Sequence, residues 1–123
     1  MMDKPFVLIV EDDPDVAQLY DSLLETAGCT TEISRTGEAA LARLSVTVPD
    51  VVVLDLNLPS QVSGITVLQQ IRADSRLPDT RVIVVTGHPD LVDDVQGQAD
   101  LVLIKPVDVD QISDFVGRLR RSA

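Results

Sequence analysis

A chain of 123 residues with 45% apolar content and a formal charge of −10 is one domain's worth of sequence and can bury a full core without staples. That charge argues against direct nucleic-acid binding, which needs clustered Lys and Arg, and against an anionic membrane surface. The single Cys29 leaves no intramolecular disulfide and fits a reducing compartment; with no apolar run near membrane-span length and no signal segment, a soluble cytoplasmic protein is expected.

Strand-like and helix-like stretches alternate five times, the pattern of βαβ units in an α/β fold. The first strand, about 6–10, runs through Val7-Leu8-Ile9-Val10 into Glu11-Asp12-Asp13. Pro14 suits a first helical turn and Asp13 its N-cap; Val16, Leu19, Tyr20, Leu23, Leu24 and Ala27 recur at helical spacing up to Gly28. A second strand at 30–33 leads to a helix opening near Thr36-Gly37 with Ala40, Leu41 and Leu44 inward. The third strand, 50–54, is the run Val51-Val52-Val53-Leu54 ahead of Asp55, and its helix follows Gly64 with Ile65, Leu68 and Ile71 or Arg72 on successive turns. The fourth, 81–85, runs into Thr86, and the helical stretch from Pro89 to Gln96 is short and weakly apolar. The fifth, 101–104, runs into Lys105-Pro106. In the last helix Asp108 and Gln111 stand three apart like a capping box, Val109, Ile112, Phe115, Val116 and Leu119 form the inner stripe, and Arg118, Arg120 and Arg121 fall in the final turn. With only Phe6, Tyr20 and Phe115 as aromatics, aliphatic side chains fill the core. No linker, repeat or low-complexity tract interrupts the pattern, so 1–123 reads as a single domain.

Continuous apolar runs of this kind read as buried strands of a parallel sheet, and ligands of such sheets bind at the carboxyl ends of the strands. Singly, each polar strand end has an ordinary reading: Asp13 a helix cap, Asp55 a turn residue ahead of Pro59, Thr86-Gly87 the start of a loop, Lys105-Pro106 a strand stop. Jointly those readings fail. Two like charges 4 Å apart repel by roughly 4 kcal/mol at an effective dielectric near 20. Gathering Glu11, Asp12 and Asp55 at one sheet edge therefore demands a cation or a protonated carboxyl. Lys105, one of two lysines in the chain with Lys4, supplies one positive charge. An all-oxygen set of carboxylates, a backbone carbonyl and waters suits Mg2+ alongside a phosphoryl group, whereas a lone His88 and a lone Cys29 make no zinc site.

The ordered set resembles a response-regulator receiver domain over about residues 5 to 121: an acidic pair after strand one, Asp55 after strand three, Thr86 after strand four and Lys105-Pro106 after strand five. Leu8-Ile9-Val10, the Asp55-Leu56-Asn57-Leu58-Pro59 loop and Leu77-Pro78 belong to the same likeness. The resemblance implies a flavodoxin-like, doubly wound five-stranded parallel sheet in the order 2-1-3-4-5 with helices on both faces, the topology whose switch point lies between strands one and three. It implies that Asp55 accepts a phosphoryl group from a phosphohistidine on a sensor histidine kinase or a histidine phosphotransfer protein. Asp12 and Asp55 would bind Mg2+ directly, Glu11 through water, and the Asn57 backbone carbonyl would complete the protein ligands. Thr86 would donate its hydroxyl to a phosphoryl oxygen and Lys105 would pair with another.

Some features depart from the family pattern. Four residues, Ser60 to Ser63, separate Pro59 from Gly64, one more than is common, and the span from Thr86 to Lys105 is short at the expense of helix four. Val102 stands where many relatives carry the aromatic that moves on phosphorylation, and Val107 follows Lys105-Pro106 in place of Phe. A flavin or nucleotide binder would want a Gly- or Ser/Thr-rich phosphate loop where Glu11-Asp12-Asp13 stands, and an aspartyl-phosphate phosphatase would want a second acid at Asn57. The function expected is a signalling domain, not an enzyme on other substrates. Its alternatives are a receiver that docks proteins without phosphorylation, or a receiver fragment of a hybrid kinase or longer regulator.

Overall fold

The structure is a computed structural model that describes residues 4–122; the side chains of Arg121 and Ser122 lie outside what is described. Five strands, β1 (Phe6–Val10), β2 (Thr30–Ser34), β3 (Val51–Asp55), β4 (Arg81–Thr86) and β5 (Leu101–Ile104), form one sheet in the order β2-β1-β3-β4-β5. Every pairing is parallel. The helices are α1 (Pro14–Thr26), α2 (Gly37–Leu44), α3 (Gly64–Ala73), α4 (Val92–Val95) and α5 (Val109–Ser122), with a 3-10 turn at Pro89–Leu91 leading into α4.

The sheet is apolar on both faces because successive side chains of each central strand point to opposite sides and both sides are covered. Leu8, Val10, Val52, Leu54, Val82 and Val84 pack against Ala40 and Leu44 of α2, Val67, Leu68 and Ile71 of α3, and Val95 of α4. Val7, Ile9, Val51, Val53, Ile83 and Val85 pack against Tyr20 and Leu24 of α1 and Ile112 and Val116 of α5. This two-sided core sets the carboxyl ends of β1 and β3 side by side.

Local chemistry sets the helix ends. Asp13 Oδ1 accepts from the N–H groups of Asp15 and Val16, and Thr36 and Ser63 cap α2 and α3 through their hydroxyls. Several expectations shift in detail. β3 and β4 each run one residue further, through Asp55 and Thr86, because the ladder continues with Leu56 N–H to Val85 O and Lys105 N–H to Thr86 O. Leu19 is 52% exposed; the expected Tyr20 and Leu24 are buried, and Ala17 joins them on the inner face of α1. Ile71 faces the core, while Arg72 reaches out to Asp100 and to the carbonyls of Thr80 and Gln98. The α5 cap is simpler than a box: Asp108 Oδ1 accepts from the Asp110 N–H. Arg120 serves the neighbouring helix, donating to Ala27 O past the end of α1 at 2.7 Å.

Candidate functional site

At the exit of β1 the Glu11 N–H bonds Ser34 O at 3.1 Å, so the chain stays paired for one more residue before turning. That extension carries the Glu11 side chain inward, where it is 2% exposed. Its Oε2 accepts the Asp13 N–H at 3.2 Å. Its Oε1 is buried without a hydrogen-bond partner and lies 3.9 Å from Lys105 Nζ. Asp55, the last residue of the central strand, is also 2% exposed. Its Oδ1 accepts the Asn57 N–H at 2.9 Å and its Oδ2 takes the Lys105 ammonium at 3.0 Å. Asp12 is half-buried between them, and carboxylate oxygens of Glu11, Asp12 and Asp55 lie within 4.8 Å of one another.

Two close approaches shape the rim. A Cβ on Gly64 would meet the Asp55 carbonyl oxygen and the Leu56 Cα at 2.4 Å, so only glycine lets α3 start this near the end of β3. Thr86 is fully buried, and its Oγ1 accepts the His88 N–H at 3.0 Å, fixing the oxygen while leaving its proton available to donate. The Lys105–Pro106 peptide bond is cis.

The electrostatics follow from burial. Desolvation pushes the Glu11 carboxyl up to about 7 against the pull of the Asp13 N–H, with the Asp55 charge adding to the rise. Burial alone would depress the Lys105 ammonium, but its hydrogen bond to Asp55 and the charges of Asp55, Glu11 and Asp12 outweigh that, and the group is held above its ordinary value. The field reaches α1: Tyr20 is pushed up to about 12, first by burial and then by the Glu11 and Asp55 charges. An orphaned buried carboxylate oxygen beside two further carboxylates is an unsatisfied all-oxygen donor set, and it fits a hard divalent cation.

The structure thus brings Glu11, Asp12, Asp55 and Lys105 together and sets Asn57 and Thr86 on the same sheet edge. The sequence reading missed Arg35, whose guanidinium Nε and Nη2 donate to the Asp12 carbonyl at 3.1 and 2.9 Å. A lone arginine between a strand and a helix carries no spacing signal that could have marked it. The Ser60–Ser63 insertion is absorbed as a turn, with Ser60 Oγ bonded to Val62 O, and does not disturb Asp55.

The family model of the response regulator receiver domain matches residues 7–116. The chain belongs to the response-regulator receiver family. Over 120 residues this receiver is 37% identical to the DNA-binding dual master transcriptional regulator RpaA of Synechocystis sp., covering 95% of this chain and 49% of RpaA. It is 36% identical to the DNA-binding response regulator MtrA of Mycolicibacterium smegmatis, covering 94% of this chain and 51% of MtrA. The receiver therefore spans about half the length of these curated relatives. Among solved structures, the Francisella response regulator 1452 receiver domain superposes with a TM-score of 0.86 at 27% identity, covering 98% of this chain and all of that one. The Thermotoga maritima response regulator TrrA, solved with Mg2+ and BeF, matches with a TM-score of 0.82 at 27% identity, covering 94% of this chain and 98% of its own. The receiver fold and order are those the resemblance implied. Among the described residues no helix is long and apolar enough to cross a membrane.

Proposed function

We propose that this receiver takes a phosphoryl group from a phosphohistidine onto Asp55, and that the phosphorylated form presents an altered docking face to a protein partner. The observation that carries the reading is Asp55 itself: a carboxylate at the end of the central strand, with Lys105 Nζ at 3.0 Å and two further carboxylates alongside. An Asp55 carboxylate oxygen attacks phosphorus, the P–N bond to imidazole breaks, and the donor histidine leaves as a neutral ring once it takes up a proton. Water later cleaves the acyl phosphate.

Phosphoryl transfer asks for in-line placement and neutralised oxygens more than for covalent help. Lys105 is charged and already points at Asp55, so it would meet one phosphoryl oxygen as the group arrives. The Thr86 hydroxyl, its oxygen held by the His88 N–H, would donate its proton to a second. Glu11, Asp12, Asp55 and the Asn57 backbone carbonyl would hold Mg2+, with Glu11 acting through water. When bound, the ion would neutralise the carboxylates and the incoming phosphoryl oxygens.

The donor would be a sensor histidine kinase or a histidine phosphotransfer protein in the cytoplasm, and the chain would catalyse only its own phosphorylation and dephosphorylation. A formal charge of −10 supports protein partners rather than nucleic acid for this domain. A second reading, the receiver portion of a longer regulator, is favoured by relatives about twice this length; either way residues 1–123 act as one receiver unit. Phosphoramidate, a small P–N donor, tests the chemistry. With Mg2+ it should give a hydroxylamine-labile modification that chelation prevents. Modification that is stable to hydroxylamine, or indifferent to chelator, overturns the reading.

A further inference from the structure

The corner between β2 and α2, residues 35 to 38, touches both loops that carry the acidic site. On one side Arg35 lays its guanidinium on the backbone of the acidic loop, with Nε and Nη2 both donating to the Asp12 carbonyl at 3.1 and 2.9 Å. This carbonyl would otherwise be free to swing, because Asp12 sits between the last β1–β2 bond at Glu11 and the first helical residues of α1. On the other side the corner meets the turn that follows Asn57. A Cβ on Gly37 would stand 2.2 Å from the Val62 carbonyl oxygen, so the turn is packed directly onto the start of α2. Glu38 faces the same loop, and Ser60 first, then the nearby backbone N–H groups, hold its carboxylate below the usual range. The extra residue of this loop therefore leans on α2, and Arg35 ties the same corner to Asp12.

We infer that Arg35 is a positioning residue for the cation site: through the Asp12 carbonyl it sets where the Asp12 carboxylate stands relative to Glu11 and Asp55. This rests on the reading that these three carboxylates hold Mg2+. Partners one shell out from a metal ligand fix its orientation, and two charge-assisted Arg35 N–H groups converge on the one Asp12 carbonyl oxygen. The alternative role for Arg35 is purely electrostatic, and it has the opposite sign. A guanidinium beside an acidic cluster repels a cation, so removing its charge alone would tighten Mg2+ binding. Loosening the loop would weaken it.

The sign decides. The full chain, as wild type, Arg35→Ala, Arg35→Lys and Asp12→Ala, is titrated with Mg2+ alone and followed by amide NMR. Amide exchange of residues 12 to 16 is measured separately without metal. Arg35→Ala should bind Mg2+ more weakly by about tenfold, the low end of what such outer partners contribute, with Arg35→Lys recovering most of the loss. Exchange at residues 12 to 16 should quicken in Arg35→Ala and not elsewhere. Arg35→Ala binding as tightly as wild type, or tighter, overturns the inference. So does an equal loss in both arginine variants with exchange at residues 12 to 16 unchanged. A wild type that binds no Mg2+, or an Asp12→Ala that binds as well as wild type, overturns the underlying site reading instead. Arg35 is exposed and α2 keeps its own Thr36 cap, so the variants retain the fold in which these differences are read.

Discussion

Lys105 is the ammonium against which the acidic cluster is balanced, 3.0 Å from Asp55 and 3.9 Å from Glu11. Because a bound cation and this ammonium compete for the same carboxylates, Lys105→Ala should lower the thermal unfolding temperature of the metal-free protein. It should also enlarge the stabilisation that Mg2+ confers. Equal Mg2+-induced shifts in wild type and variant, read by thermal melts with and without the ion, would contradict that balance. Tyr20 reports the same field from α1. Its phenol is raised from 10.0 to about 12, by burial first, so the fold favours the neutral form. The sign is fixed by linkage: this contribution to stability is complete below pH 10 and is lost as pH rises through about 12. The chain has one Tyr and no Trp, so the tyrosinate absorbance is a clean signal. It should rise well above pH 10 in the folded protein, and a midpoint at the ordinary value would show that Tyr20 is solvated. What was legible at this scale was the meeting of the strand ends, since the order of Asp55, Thr86 and Lys105 along the chain sets them on one sheet edge. Arg35 was not legible, because its role depends on the three-dimensional meeting of the β2–α2 corner with the Asp12 carbonyl.

The elements most readable in advance were those with strong periodicity on two levels. The run 51–54 is apolar throughout because both faces are covered, and α5 carries a stripe that meets the α1 side of the sheet. Ile112 is fully buried in that stripe, so Ile112→Ala should cost about 2–5 kcal/mol in urea unfolding. A loss well under that range would mean that α5 does not seal this face. Less readable was α1, where Leu19 fits the apolar spacing yet lies outside while the small Ala17 is buried. The segment between β4 and β5 is the least regular: a 3-10 turn without a side-chain cap, then a single helical turn anchored by buried Val95. Its far end is held by Arg72 through Gln98 O and Asp100, while its near end begins at Thr86. Such a stretch, exposed and lightly packed between two anchors, is the part of the domain that opens at least cost. With Val102 too small to act as a swinging aromatic, the response to phosphorylation should centre here. Hydrogen exchange with and without beryllofluoride should show new protection mainly in residues 86 to 98. A response confined to Val102 and α5, with this segment silent, would rule it out.

For the whole molecule, the order β2-β1-β3-β4-β5 is what makes the site: it sets β1 beside β3 at the switch point and brings together acids from distant parts of the chain. The fold was legible because alternating strands and helices, apolar on both faces, leave few topologies open, and right-handed crossovers reduce them further. The finer geometry was not, since it depends on approaches such as Gly64 against the end of β3 that no pattern of residue types encodes. The same arrangement concentrates negative charge. Asp12→Ala should therefore raise the thermal stability of the metal-free receiver while weakening its Mg2+ binding more than Glu11→Ala does. Equal Mg2+ affinities for the two variants, measured by calorimetry, would refute that ranking. The central claim is that Asp55 is the phosphoacceptor, and the direct measurement is to locate the acyl phosphate. Wild type and Asp55→Asn are incubated with acetyl phosphate and Mg2+, reduced with borohydride to trap the acyl phosphate, and mapped by mass spectrometry. The account predicts one trapped site, at residue 55, in wild type and none in the variant; modification persisting at undiminished level in Asp55→Asn would contradict it.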